Sequence, residues 1–208
     1  MSRKGILFVI SAPSGSGKTS LCEALCADTH DVVRSVSCTT RAPRAQERDG
    51  LDYHFISAQQ FAARAAAGDF LEWACVHRHR YGTLRQPIDA ATAAGKDVLL
   101  VIDVQGAATL RAAGVDAVHV FVLPPSWQAL QERLAGRNPG AGAMHVRLAS
   151  ERLAVARQES AHYAAYDYVL INDCFADALA ALKAIILAER HRIRHADPAP
   201  ISKLLTAP

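Results

Sequence analysis

The chain has 208 residues, of which 50% are hydrophobic, so it is long and apolar enough for one domain with a sizeable core. Its 23 basic and 20 acidic residues leave a net charge of +3 without a long basic run, and this near balance does not indicate a nucleic-acid partner. No apolar segment has the length that a membrane span requires, and the short apolar run near the N-terminus leads into a glycine-rich loop instead of a signal-peptide cleavage site.

The first predicted unit is a strand at 6–11, a glycine-rich loop and a helix at 18–28. The loop reads Ser11-Ala12-Pro13-Ser14-Gly15-Ser16-Gly17-Lys18-Thr19-Ser20. It follows the pattern G-x-x-x-x-G-K-[ST] except that Ala12 replaces the first glycine. Backbone N–H groups of such a loop and the positive end of the following helix bind a phosphate chain. We therefore predict a phosphate site at 12–20, with Lys18 on the β and γ phosphates and the Thr19 hydroxyl beside Mg²⁺; an ordinary Gly/Ser turn is the alternative.

The region that follows interrupts the alternation of long strands and helices. The predicted elements are strands at 32–37, 53–56 and 70–76, a helix at 58–67 that Ser57 caps, and a turn or strand end at 81–83. A polar loop carrying Arg41 and Arg44 separates the first two strands. We interpret residues 35–83 as an inserted mixed α+β subdomain.

From residue 85 onward the alternation resumes. The predicted helices are at 85–94, 106–113, 127–135, 145–164 and 176–193, and the predicted strands are at 98–103, 118–123 and 168–171. Ser126 caps the third of these helices, a glycine-rich loop covers 136–142, and the tail at 196–208 is predicted to be peripheral.

Continuous apolar strands that alternate with helices are typical of a parallel sheet buried on both faces. We therefore predict a three-layer α/β fold with a mostly parallel five-stranded sheet, whose core is formed by residues 1–34 and 84–195 of a single domain. Ligands of such folds bind at the carboxyl ends of the strands. The phosphate loop, Asp103 and Asn172 are predicted to meet there.

A series of short motifs narrows this prediction. They lie at 11–18, 37–44, 52–55, 70–73, 81–83, 102–106, 123–126, 133–137, 166–168, 172–173 and 201–205. In this order, over nearly the whole chain, they resemble the bacterial guanylate kinases, P-loop enzymes that phosphorylate GMP with ATP. Many unrelated ATPases share the phosphate loop. The block at 37–44, together with Tyr53, Glu72 and Tyr81, is typical of a much smaller group of proteins.

The resemblance implies that residues 35–83 bind GMP. Arg41 and Arg44 can fork onto the oxygens of a monophosphate, and Tyr53 and Tyr81 can add hydroxyl donors. Spacing alone would favour ordinary solvated arginines, and it is the resemblance that favours a phosphate site.

Glu72 lies in an otherwise apolar segment, where it is either a surface carboxylate or a base-recognition group. Guanine presents N1–H and its 2-amino group side by side, and an ionised carboxylate accepts both; adenine has no donor at either position. Ser37 and Thr83 can bond to the remaining guanine edge, including O6. For Asp103 two roles stay open, namely contact with the base and ordering of metal-bound water.

The resemblance also implies a mobile lid at 136–152 that closes over the donor ATP and excludes water. Arg133, Arg137 and Arg152 match the lid arginines, with Arg147 as the alternative to Arg152. Phosphoryl transfer mainly requires positioning and charge neutralisation, and the implied catalytic residues are Lys18, Arg44, Arg137 and Arg152. Asn172 resembles the contact of the family with the ATP adenine, and Mg²⁺ is the implied cofactor.

Four positions depart from the pattern of the family. They are Arg80, where a tyrosine is common, Val101, where an acid is common, Asn138 in place of a lid glycine, and Cys174 in place of an acid. Val101 weakens the expectation that two carboxylates order the Mg²⁺. Arg80 either adds charge near the GMP phosphate or points to water.

Three other functions fit parts of the sequence. A guanylate-kinase-like binding module would hold a peptide in the same cleft, but it has no need of Lys18 or of lid arginines. A kinase acting on a phosphorylated ribose would not need Glu72. A regulatory GTPase would carry an Asn-Lys-x-Asp pattern, which Asn172-Asp173 does not match.

The five cysteines indicate the redox environment of the protein. Their number is odd and their spacing fits no metal site, so they predict a reducing, cytoplasmic location. The expected partners are the substrates ATP and GMP, with neither nucleic acid nor membrane, and a homo-oligomer is left open.

Overall fold

The computed structural model describes residues 3–76, 78–136 and 143–206, and the side chains of these residues apart from 135–150. The strands are β1 (Leu7–Ser11), β2 (Val32–Arg34), β3 (Cys38–Thr39), β4 (His54–Phe55), β5 (Phe70–Val76), β6 (His79–Leu84), β7 (Asp97–Val101), β8 (Val118–Leu123) and β9 (Tyr168–Ile171). The helices are α1 (Lys18–Asp28), α2 (Ala58–Ala66), α3 (Arg85–Ala93), α4 (Val104–Ala112), α5 (Trp127–Gly136), α6 (Ala143–Ser160), α7 (Phe175–Arg190) and α8 (Pro198–Thr206).

Five strands form the predicted parallel sheet, in the order β2-β7-β1-β8-β9. The central strand β1 is buried along its whole length, because one face packs against α1 and α7 and the other against α3 and α4. These helices form the outer layers of the three-layer α/β fold that the apolar strands predict. The phosphate loop therefore leaves the sheet at its centre.

A second, mixed sheet has the order β4-β3-β6-β5 and lies between β2 and α3 in the chain. Phe61 of α2 packs on Phe70 and Cys38 to give this sheet a small core of its own. The predicted Ser57 cap is present as a capping box, in which Ser57 and Gln60 exchange side-chain and backbone hydrogen bonds of 3.1 and 2.8 Å.

Two predicted elements differ here from the structure. The turn or strand end at 81–83 is wrong, since these residues form the middle of β6, paired with β5. The hairpin turn contains Arg78 at a φ of 68°, so the glycine that usually marks a left-handed turn is missing from the sequence. The strand predicted at 32–37 ends earlier, at Arg34.

Several helices in the rest of the chain differ from the prediction, and the helix predicted at 176–193 ends earlier, at Arg190. The helix predicted at 106–113 begins at Val104, because the Asp103 side chain caps it by accepting the Gly106 N–H at 2.9 Å. The helix predicted at 145–164 ends at Ser160, whose hydroxyl donates to the Ala156 carbonyl, and a 3₁₀ turn continues to Ala165. The tail contains α8, which the sequence reading did not predict, with several of its apolar side chains exposed. None of the described helices is both long and apolar enough to cross a membrane.

Candidate active site

Six of the predicted site residues lie together at the carboxyl ends of the parallel strands, the edge at which ligands of such folds bind. A cleft of about 220 Å³ lies there between the two sheets. Its walls come from the start of α1, the second sheet and the end of β7, and they include Lys18, Ser37, Tyr53, Glu72, Tyr81 and Asp103. One cleft therefore brings the phosphate-loop lysine together with the buried carboxylate of the second sheet.

The phosphate loop is held in the conformation that an anion site needs. Gly15 and Gly17 have φ values of 94° and 87°, which side-chain-bearing residues rarely adopt. Gly17 precedes α1 without a side-chain cap, so the first N–H groups of that helix are not occupied by a capping side chain. Ala12 and Pro13 are buried, whereas Ser14, Thr19 and Ser20 are exposed.

Lys18 is fixed by the neighbouring strand. Its ammonium donates to the Ile102 carbonyl at 2.8 Å, at the end of β7. Burial lowers the pKa of Lys18, and the nearby Asp103 carboxylate opposes this shift. The lysine is therefore positioned beside the loop before any phosphate arrives.

Glu72 is the most deeply buried carboxylate of the cleft, at 5% exposure. The Thr83 hydroxyl donates to its Oε1 at 2.6 Å, and the Ser37 hydroxyl lies 3.3 Å from that of Thr83. Burial raises the pKa of Glu72 to about 7, with the Asp103 charge adding to the shift and the Thr83 hydrogen bond opposing it. Among the residues that the structure describes, Glu72 is thus a buried acceptor with a hydroxyl partner and no ion pair.

Arg41 does not reach into the cleft as freely as the sequence suggested. Its Nη1 and Nη2 fork onto the two carboxylate oxygens of Glu47 at 2.9 and 2.8 Å, and Nη1 also donates to the Ala42 carbonyl. Its Nε donates to the Tyr81 hydroxyl at 3.2 Å. Four of the five guanidinium N–H groups are thus engaged, so one remains for a ligand.

Glu47 is a residue that the sequence reading missed. It also accepts the Arg44 backbone N–H at 2.8 Å, so it ties together the loop that carries both arginines. The sequence does contain a signal for this contact, because Glu47 is a carboxylate three residues after Arg44 in a basic, polar stretch. The Arg44 guanidinium is exposed, and among the described residues it forms no ion pair.

Comparison with known proteins agrees with this geometry. A sequence model of the guanylate kinase family matches residues 4–189. The guanylate kinases of Sphingopyxis alaskensis and Anaeromyxobacter dehalogenans are 46% and 49% identical to the chain, over 93% and 92% of its length and 88% and 83% of theirs. The chain belongs to the guanylate kinase family. The crystal structure of guanylate kinase from Anaplasma phagocytophilum is similar to it with a TM-score of 0.79 at 29% identity, covering 97% of this chain and 95% of that one.

Asn172 shows how this guanylate kinase-family chain supports its phosphate loop. The residue is 4% exposed, and its side-chain Nδ2 donates to the Ser16 backbone carbonyl at 2.7 Å. The backbone carbonyl of Asn172 accepts from Arg133 Nη2 at 3.2 Å. A Cβ atom on Gly17 would lie 2.4 Å from Nδ2, so the glycine is needed for this close approach. Contact of Asn172 with adenine stays a prediction.

The predicted lid is only partly within the described residues. Arg137 and Asn138 lie outside them, as does the side chain of Arg147. Arg152 is exposed on α6, which packs on α5 through Leu130, Leu134 and Ala156. Of the other departures from the guanylate kinase pattern, Arg80 and Cys174 are exposed and Val101 is half-buried at the end of β7.

Proposed function

We propose that this chain transfers the γ-phosphoryl group of ATP to GMP, giving ADP and GDP, in guanine nucleotide synthesis and recycling. The single observation that carries the proposal is the shared cleft, in which Lys18 of the phosphate loop faces Glu72 of the second sheet. The phosphate-loop lysine fits the binding of ATP, the phosphate donor. The buried carboxylate fits the binding of an acceptor nucleotide whose base carries two adjacent N–H donors. Residues 35–83 would hold this acceptor.

Guanine recognition follows from the buried pair of Glu72 and Thr83. Thr83 donates to one carboxylate oxygen of Glu72, which fixes the plane of the carboxylate and leaves acceptor capacity for N1–H and the 2-amino group. Ser37, whose hydroxyl can turn between Thr83 and the ligand, would donate to guanine O6. With AMP bound, the desolvated Glu72 carboxylate would have no N–H donors opposite it, and this would weaken the binding of AMP.

The GMP phosphate would lie among Arg44, Arg41, Tyr53 and Tyr81. Arg44 is the free cation of this group, and Arg41 contributes its charge and one remaining N–H group. The Arg41 guanidinium lies over the Tyr53 ring at 5.5 Å, which keeps it on the cleft side of the loop. We therefore assign the leading phosphate contact to Arg44.

Phosphoryl transfer itself would depend on charge placement. An oxygen of the GMP phosphate is already an anionic nucleophile, so the protein needs no general base. Lys18 and the loop amides at 12–20 would hold the β and γ phosphates. Arg133, Arg137 and Arg152 would approach when the lid at 136–152 closes, and Asn172 would lie on the adenine side.

Mg²⁺ fits this site as an ion held mainly by the nucleotide. Among the described residues no three His, Cys, Asp or Glu side chains come together as a metal cage. Mg²⁺ usually takes one or two protein oxygens, with phosphates and waters completing its octahedron. The exposed Thr19 hydroxyl suits the direct contact, and Asp103, which keeps one oxygen beside its helix cap, suits an ordered water. When bound, the ion would neutralise charge on the transferring phosphate.

We also propose a cytoplasmic location. All five cysteines are free thiols, and two of them, Cys75 and Cys174, are exposed. Exposed free thiols persist most readily in a reducing compartment.

A coupled assay of ADP formation with ATP and Mg²⁺ tests the function. We expect turnover with GMP and a kcat/KM at least roughly 10⁴-fold lower with AMP, because the buried carboxylate has no donors to bind there. UMP and ribose 5-phosphate serve as further acceptors. Turnover with GMP no higher than with AMP would exclude the proposal, and GMP binding without ADP formation would favour the peptide-binding module.

The pH dependence of GMP binding gives a further prediction. GMP requires the ionised carboxylate, and Glu72 has a pKa of about 7, so the affinity for GMP is expected to fall as the pH drops from 8 to 6. Calorimetric titration of GMP across this range measures the effect. The GMP phosphate also titrates, near pH 6, but it does so equally in the Glu72→Gln variant. A dependence that is identical in the wild type and this variant would contradict the role of Glu72.

A further inference from the structure

The first turn of α4 lies directly against the recognition carboxylate. A Cβ atom built on Gly106 would be 2.7 Å from Glu72 Oε2 and 3.3 Å from its Cδ. Distances below 3.0 Å are essentially never adopted by real Cβ atoms, so any side chain at 106 would force a movement. The Glu72 carboxylate can therefore lie against α4 because residue 106 has no side chain.

The backbone gives no other reason for glycine here. Gly106 does not have the positive φ of Gly15 or Gly17, and it lies inside a helix, where alanine is the better residue. Its N–H is satisfied by Asp103 Oδ1 at 2.9 Å, and alanine would keep this bond. The glycine is thus unfavourable for the helix and favourable for Glu72.

The other oxygen of Glu72 is also held. Thr83 donates to Oε1 at 2.6 Å from β6, while α4 packs against β5 and places Gly106 at Oε2. A strand of the second sheet, β6, and a helix of the main α/β layer, α4, therefore meet the two oxygens of one carboxylate.

We propose that Gly106 is a positioning residue that determines base specificity, because its missing side chain lets Glu72 Oε2 lie against α4 while Thr83 holds Oε1. This inference rests on the proposed function, in which Glu72 binds guanine. A methyl group at 106 would rotate the carboxylate away from the helix, since the far end of Glu72 yields more easily than the backbone. The two guanine donors would then meet a misplaced acceptor.

The Gly106→Ala variant tests this inference. We expect kcat/KM for GMP to fall about 10- to 100-fold, the range for a misplaced charge-assisted hydrogen bond, with the KM for ATP unchanged. The thermal midpoint is expected to stay equal or rise, because alanine favours the helix. Ala108→Ser is the matched control, since it adds one atom on the exposed face of the same helix.

A double-mutant cycle with Glu72→Gln shows whether Gly106 acts through Glu72. We expect Gly106→Ala to cost less than about threefold in the Glu72→Gln background, because its target is already lost. An equal cost in both backgrounds, an unchanged GMP selectivity, or a joint loss of ATP use and thermal stability would each overturn the inference. Failure of Glu72→Gln itself to change GMP selectivity would instead overturn the recognition role of Glu72, and wild-type turnover with GMP no higher than with AMP would overturn the proposed function, so these failures are distinguishable.

Discussion

Replacing Glu72 with glutamine is expected to lower kcat/KM for GMP by about 10²- to 10³-fold while the KM for ATP stays within about twofold. Glutamine has nearly the same shape but offers one acceptor and one donor group, so its NH₂ group faces the guanine donors or displaces the Thr83 bond. The kcat/KM for AMP should not fall, because adenine N1 can accept from the new amide. The ratio of kcat/KM for GMP to kcat/KM for AMP is therefore the quantity that tests the role of Glu72.

Steady-state kinetics with both acceptors measures this ratio. The control is Glu132→Gln, because Glu132 is an exposed glutamate on α5 whose side chain, within the described part of the chain, accepts a hydrogen bond from Gln128. Equal losses for GMP and AMP would show that Glu72 supports the fold of the cleft and does not select the base. No loss for either nucleotide would remove Glu72 from the site.

The stability of the Glu72→Gln variant separates recognition from unfolding. The pKa of Glu72 in the fold is about 7, above the value of about 4.3 for a free glutamate, so its ionisation disfavours the folded state as the pH rises between these values. At pH 8 the neutral glutamine should therefore be at least as stable as the wild-type residue. Activity lost at an unchanged thermal midpoint is a loss of recognition.

The main sheet could be predicted from the sequence because its signals are local. Apolar runs such as 98–103 are buried on both faces and show directly in the sequence, and the order of loop, strand and helix at 6–28 marks the phosphate site. Side-chain caps such as Ser57 also act within three residues. Fold class and the edge of the sheet that holds the site follow from these signals.

Contacts between distant segments could not be predicted in the same way. The Asn172 bond to Ser16 and the approach of Glu72 to Gly106 depend on how two elements pack, and the fork of Arg41 onto Glu47 depends on how the loop between β3 and β4 folds back on itself. A single sequence shows which residues are present but not which pairs meet. For this reason it indicated a phosphate contact for Arg41 without the carboxylate that engages most of its donors.

Replacing Lys18 with alanine is expected to lower kcat by about 10²- to 10³-fold while the Kd for GMP stays within about threefold. Lys18 is the only cation of the phosphate loop at 12–20, and its fixed charge is placed where negative charge shifts between the β and γ phosphates. In the proposed function GMP is held by Glu72 and Arg44, which belong to residues 35–83, so its ground-state binding is not expected to depend on this charge. Single-turnover kinetics gives the rate, and calorimetry gives the Kd.

The Lys18→Ala variant also removes the donor to the half-buried Ile102 carbonyl, and this loss can disturb β7 independently of the charge. The Lys18→Met variant leaves the same carbonyl without a donor but keeps most of the side-chain volume, so it isolates packing from the loss of the ammonium group. Lys203→Ala, at an exposed lysine of α8, controls for the net charge. Because the electrostatic argument depends on the charge alone, Lys18→Met must be as slow as Lys18→Ala, and a rate near that of the wild type would contradict the assignment of Lys18.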